Sequence, residues 1–290
     1  MTSFITMLAA AAIQTAAPPA PAPVTVTVTV TVTVTVPVPA PPVQAIRPSK
    51  IILVGDSTTA VAGGWGGAFC ADHVTSFVAC VNLARGGRSS GSYIAEGSWA
   101  VALAEMRTRG YVKTWVLIQF GHNDQPGKPG RSTDLATEFP ANLRRYVTEA
   151  RATGAIPVLV TPLTRRTFVG GKLVQDLEPW AESIRTVARA MAVPLIDLNA
   201  KSTAAVAAMG EAEADTFAQL PKGATPTGTS PAPTSPTATS GEINDQPFAQ
   251  RKLSFDRTHL GRKGADYFAT MVARELSAAV PDTRPLLFDR

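Results

Sequence analysis

The sequence is poor in charge, cysteine and histidine, and what charge it has is unevenly placed. Charged residues make up 17% of the 290, below the roughly 25% of an average soluble domain. None precedes Arg47, and a second uncharged stretch runs from Gly223 to Gly241. No apolar run approaches the ~18 residues of a membrane-spanning helix, so integral membrane contact is not expected. The three histidines and two cysteines show no metal-ligand or CxxC spacing. That argues against a metal site or a redox pair, and no cofactor is expected. The net charge of +5 would suit nucleic acid, but no aromatic-interleaved basic motif accompanies it, and none is expected as a partner.

What the chain does have begins with an unusual head. Residues 1–17 read as an export signal, with an apolar core over Phe4–Ile13 and small residues at Thr15 and Ala17. The usual basic start is missing from Met1-Thr2-Ser3. Residues 18–48 read as a low-complexity tether of Val, Thr and Pro, with strict Val/Thr alternation from Val24 to Val36. The alternative is a strand that pairs with another chain, because an unprotected Val/Thr edge invites pairing. The domain proper is expected over 49–290, interrupted at about 222–242 by a Thr/Pro-rich insertion too polar to order itself by burial. A secreted or periplasmic location follows from the leader. In an exported chain Cys70 and Cys80 are expected to pair; the alternative is two buried thiols.

From Lys50 onward short apolar strands alternate with helix-length segments. Strands are expected at Ile51–Val54, Ala79–Leu83, Trp115–Phe120, Pro157–Val160 and Val193–Leu198. Helices are expected over Trp65–Ser76, Ile94–Arg107 and Lys201–Gly210, and at three amphipathic stretches. These stretches are marked by Leu135, Phe139, Leu143 and Val147; by Trp180, Ile184, Val187, Ala188 and Met191; and by Ala265, Phe268, Val272, Leu276 and Ala279. Near-continuous apolar strands separated by helices imply an α/β fold with a five-stranded parallel sheet covered on both faces. Ligands of such sheets bind at the carboxyl ends of the strands, and the polar motifs fall there.

Ser57 follows Gly55-Asp56 at the end of the first strand. A serine hydroxyl needs a base within hydrogen-bond reach, and His259, three residues after Asp256, is the best candidate. Asp256 would hold one ring nitrogen while the other faces Ser57, which is the logic of a Ser–His–Asp acyl transferase. Donors for a developing oxyanion are available at the Ser57 N–H, the Gly87 N–H and the Asn123 side-chain amide.

At these residues the sequence resembles the SGNH, or GDSL-type, hydrolases. Gly55-Asp56-Ser57, Asn82 to Gly87, Gly121-x-Asn123-Asp124 and Asp256-x-x-His259 correspond to their four blocks. The wording is most similar to the rhamnogalacturonan acetylesterases, the family 12 carbohydrate esterases. Gly64-Trp65-Gly66 and Gly87-Arg88-Ser89-Ser90-Gly91-Ser92-Tyr93 add to that likeness. The resemblance implies a flavodoxin-like three-layer sandwich, no metal, and removal of acetyl groups from pectic polysaccharide. It assigns Ser57 as nucleophile, Asp256 and His259 as its relay, and Gly87 and Asn123 as oxyanion donors. Two departures touch the substrate rim: Gly91 stands where an arginine is usual, and the Thr/Pro insertion precedes Asp256.

Arg85 and Arg88 flank the oxyanion glycine and are candidates to bind an acidic sugar, with structural ion pairs as the alternative. Trp65 and Tyr93 are candidates to stack on sugars, with core packing as the alternative. His122 is expected to hold its loop rather than touch substrate. His73 reads as exposed on a helix, and Arg144-Arg145 and Arg165-Arg166 as solvated faces. The expected partner is an acetylated acidic polysaccharide, met by a monomer. Three other readings stand beside this one: a general short-chain or lipolytic esterase, an acetylesterase on another polysaccharide such as xylan, and a non-catalytic surface-display or carbohydrate-binding protein.

Overall fold

A computed structural model describes residues 25–33, 46–224, 253 and 255–288. The expected leader, much of the tether and most of the expected insertion lie outside the described residues. The chain divides into two units, Met1–Ile46 and Arg47–Arg290. In the first, residues 25–33 carry neither helix nor strand and are exposed.

In the second unit, strands β1 (Ser49–Gly55), β2 (Val78–Asn82), β3 (Thr114–Gln119), β4 (Ile156–Val160) and β7 (Leu195–Ile196) form one sheet in the order β2-β1-β3-β4-β7. Every pairing in it is parallel. This is the flavodoxin-like order, with the chain reversing its direction of travel beside β1 and β3. The two-residue strands β5 (Phe168–Val169) and β6 (Lys172–Leu173) form a separate antiparallel hairpin across Gly170-Gly171.

Alternate residues of the strands enter different layers, as the period of an extended chain dictates. Ile51, Leu53, Trp115, Leu117, Val158 and Val160 face one layer. There they meet α1 (Gly66–Ala68), α6 (Leu198–Asp215) and α7 (Arg262–Ala279). Ile52, Val54, Val116, Ile118 and Leu159 face the other, against α2 (Ser90–Ala95), α3 (Ser98–Met106), α4 (Glu138–Ala152) and α5 (Glu178–Ala190). Burial on both faces is why these strands read as continuous apolar runs. Among the described residues no helix is long and apolar enough to cross a membrane.

Several expected elements are reshaped for local reasons. The expected helix over Ile94–Arg107 is two helices, broken at Gly97, whose φ of +86° belongs to the left-handed region that favours glycine. The fifth sheet strand stops at Ile196 because Asp197 caps α6, its carboxylate accepting the Ala200 N–H at 3.3 Å. The helix expected over Trp65–Ser76 is the short α1 followed by a π turn over Phe69–His73. His73, expected to be exposed, is buried in that turn, 3.4 Å from the Thr270 hydroxyl. Cys70 and Cys80 form a disulfide with Cα atoms 5.5 Å apart, tying the π turn to edge strand β2.

Candidate active site

Three loops meet at the carboxyl ends of β1, β2 and β3, and the turn before α7 closes on them. The first loop carries Ser57. Asp56 shapes it by accepting the Thr58 N–H and the Thr58 hydroxyl, both at 2.8 Å. Asp56 is wholly buried, which would raise its pKa. The charge and hydrogen bonding of His122, with the two Thr58 donors, outweigh burial and hold the carboxyl below its ordinary range. The His122 Nδ1 stands 3.4 Å from Asp56 Oδ2, so this buried imidazole lies against the Ser57 loop.

The support continues into the sheet. Gln119 Nε2 donates to the Thr58 hydroxyl at 2.6 Å, and its Oε1 accepts from Trp65 Nε1 at 3.0 Å. Trp65, Gln119, Thr58, Asp56 and His122 are therefore successive members of one buried polar chain beneath Ser57. Gln119 was not expected in this role; the signal for it is that it is the one polar residue in the run Trp115–Phe120, where a buried polar side chain must find partners.

Opposite lies the loop after β2. Gly87 has φ +79°, a conformation that L side chains rarely adopt. The following segment is fixed by a reciprocal cap. The Ser92 N–H donates to Ser89 Oγ at 3.1 Å, and the Ser89 N–H to Ser92 Oγ at 2.9 Å. Asn123, after β3, is buried and spends one amide hydrogen on the Arg88 carbonyl at 3.0 Å. A side-chain amide carries a second hydrogen that can be donated to a ligand. Asp124 joins the two loops, accepting the Ser90 N–H at 3.0 Å, the Ser90 hydroxyl at 2.6 Å and the Thr133 hydroxyl at 2.9 Å. Burial drives its pKa up to about 6, with those hydrogen bonds opposing.

His259 completes the site. Its Nε2 lies 2.9 Å from Ser57 Oγ, and its Nδ1 lies 3.1 Å from Asp256 Oδ2. The other Asp256 oxygen accepts the backbone N–H groups of Thr258 at 2.8 Å and His259 at 2.6 Å. Burial alone would raise the Asp256 pKa. The hydrogen bonds and charge of His259, with the two amides, overcome it and bring the group to about 2. An ionised carboxylate can only accept, so the hydrogen shared with Asp256 sits on Nδ1, and in the neutral imidazole Nε2 is then the acceptor toward Ser57.

Arg166 braces this turn, and that corrects the expectation of a solvated face. It is fully buried and donates to the carbonyls of His259 at 2.7 Å, Asp256 at 3.2 Å and Thr258 at 3.3 Å. Burial pulls its pKa down to about 10. Arg165 is partly buried and pairs with Asp176. The role of Arg166 has no local sequence signal, because its acceptors lie 90 to 93 positions along the chain.

The sugar-stacking expectation for Trp65 and Tyr93 is overturned. Both are 0% exposed, with the Tyr93 hydroxyl on the Leu83 carbonyl at 2.8 Å and Trp65 on Gln119. Their apolar bodies serve the core, and their polar tips are already matched. Arg88 is likewise buried, donating to Glu96 and to the Gly86 carbonyl, both at 2.8 Å. That is the structural ion pair, so Arg88 does not stand ready for an acidic sugar. Arg85 is half exposed and donates to the Ser98 hydroxyl at 3.1 Å. Among the described residues no three His, Cys, Asp or Glu side chains gather as a metal site.

The sequence is 29% identical over 250 residues to a probable rhamnogalacturonan acetylesterase, YesY, of Bacillus subtilis, covering 83% of this chain and 99% of that one. It is 37% identical over 175 residues to the rhamnogalacturonan acetylesterase RhgT of the same organism, covering 58% of this chain and 72% of that one. The fold is similar to that of protein YXIM of Bacillus subtilis, with a TM-score of 0.58 at 22% identity, over 81% of this chain and 58% of that one. Residues 53–229, which start in β1 and take in Ser57, Gly87 and Asn123, match the GDSL-like lipase/acylhydrolase family. With a serine, a histidine and an aspartate joined in relay at the sheet's carboxyl edge, the chain belongs to that family.

Proposed function

We propose that this protein is a serine esterase that removes O-acetyl groups from an acidic, pectic polysaccharide outside the cytoplasm. The observation that carries this reading is the unbroken relay from Asp256 through His259 to Ser57. Ser57 Oγ attacks the acetyl carbonyl as His259 Nε2 takes its proton, and Asp256 stabilises the resulting imidazolium. The N–H groups of Ser57 and Gly87 and the amide of Asn123 receive the oxyanion. Collapse expels the sugar hydroxyl, which takes the proton from His259. Water, activated by the same base, then releases acetate from Ser57.

The acetylesterase names of the two Bacillus relatives support the acetyl group and the pectic chain. The net charge of +5 suits an anionic polymer. The Cys70–Cys80 disulfide supports an oxidising compartment, in keeping with the apolar head over Phe4–Ile13.

Acetate release from acetylated pectin, acetylated xylan and esters of increasing acyl length tests the reading. The wild type is expected to favour acetylated pectin and to lose rate steeply beyond acetyl, and Ser57→Ala to be inactive but folded. Equal release by Ser57→Ala removes the mechanism; a rate that rises with acyl length replaces the deacetylase with a lipolytic enzyme.

A further inference from the structure

With Arg88 turned to Glu96, a different arginine stands beside the oxyanion residues. Arg131 Nη1 is 3.5 Å from the Gly87 carbonyl oxygen and 3.5 Å from Asn123 Oδ1. Both contacts are long, so they orient the guanidinium without satisfying it. Its Nε is buried and has no hydrogen-bond partner among the described residues. A guanidinium offers five N–H donors and keeps its charge at any working pH.

Two more cations crowd the same loop. Lys128 lies three residues earlier, its carbonyl accepting the Arg131 backbone N–H at 3.0 Å, and Arg165 donates to the His122 carbonyl at 3.4 Å. Burial, followed by the charges of Arg165 and Arg131, holds the Lys128 ammonium below its ordinary value. The buried Asp56, and Asp176 by pairing with Arg165, answer part of this charge. The balance is a surplus of positive charge beside Gly87 and Asn123, on groups partly withdrawn from water. Charge held in that way is stabilised when an anion completes the set. A planar carboxylate matches the fork of a guanidinium better than a neutral hydroxyl does.

We propose that Arg131, with Lys128 beside it, binds the carboxylate of the sugar unit whose acetyl group is presented to Ser57, and so selects uronic-acid chains over neutral ones. The proposal rests on the esterase reading and adds the group that reads the substrate's charge.

Two measurements test it. The first is the ratio of kcat/KM for acetylated oligogalacturonides to that for acetylated xylo-oligosaccharides. Arg131→Gln is expected to lower this ratio about tenfold or more, Arg131→Lys to fall between, and Lys128→Gln to lower it about threefold. The wild-type ratio should fall with added salt, and that of Arg131→Gln should fall less. Equal losses on both substrates would mean that Arg131 serves only the oxyanion donors, and would overturn the proposal. So would a wild type that prefers the neutral chain, although that result leaves the Ser57 esterase standing.

The second measurement needs no turnover. Binding of unacetylated oligogalacturonide to Ser57→Ala, followed by calorimetry, should weaken about tenfold when Arg131→Gln is added. Unchanged affinity would overturn the proposal. Acetate release that survives Ser57→Ala would instead remove the esterase reading, so the two failures are distinguishable.

Discussion

Nε2 of His259 and Oγ of Ser57 lie 2.9 Å apart although 202 positions separate them in the chain. The contact is set from the histidine side, because Asp256 holds both the ring and the backbone of that turn. Asp256→Asn should therefore keep the fold while presenting the wrong ring tautomer to Ser57. Steady-state kinetics are expected to show kcat reduced by about 10⁴ with KM little changed. A loss below about tenfold would mean that the carboxylate is not needed to fix the tautomer.

The buried Arg166 is expected to matter for both stability and rate. Arg166→Met leaves the carbonyls of Asp256, Thr258 and His259 without their donor. Denaturant unfolding should show a loss of about 3 kcal/mol or more. Initial rates should show kcat lowered at least about tenfold with KM nearly constant, because the displaced group is the base rather than a substrate contact. Arg166→Lys should recover part of both. Wild-type kcat in the methionine variant would show that the turn holds its shape without the guanidinium.

Asp124 makes stability depend on pH with a defined sign. Its pKa rises from 3.8 to about 6 on burial, so the native state holds this proton more tightly than the unfolded chain does. The contribution is complete below the unfolded value and is lost as pH rises through about 6. It is on the order of 3 kcal/mol. Urea unfolding across this range should show wild type losing stability relative to Asp124→Asn as pH increases. Parallel curves would place the titration elsewhere.

The disulfide closes a short loop between the π turn and β2. By loop entropy it contributes about 2–3 kcal/mol. Cys70→Ser with Cys80→Ser should lower Tm by about 5–10 °C in calorimetry, with kcat retained because the bridge contacts none of the reacting groups. A Tm that does not move would mean that the bridge leaves the unfolded chain no more constrained.

The sheet was legible because strands buried on both faces must be apolar throughout, and Ile51–Val54 and Trp115–Ile118 are. The relay residues were legible because each stands at a strand end or just before a helix, where a backbone turn exposes a side chain. Ser57, Asp256 and His259 are all of this kind, and so is Asn123 beside them. Trp65 and Tyr93 misled because an aromatic beside a motif has the same composition whether its ring faces a sugar or the core. Arg166 misled because adjacent arginines resemble a solvated face. Its carbonyl partners lie 90 to 93 positions away, so only the assembled fold brings them together. Arg131 was silent for the same reason, being 44 positions from the Gly87 carbonyl it approaches.

The polar chain from Trp65 to His122 has a consequence for how variants are interpreted. Trp65 and Gln119 reach the Ser57 loop through Thr58 and Asp56, so a change at either is expected to loosen that loop. Screening by lost turnover would therefore score an indole in the core alongside the reacting serine. A nucleophile-directed covalent probe separates them: core lesions slow labelling of Ser57, whereas losing the hydroxyl ends it.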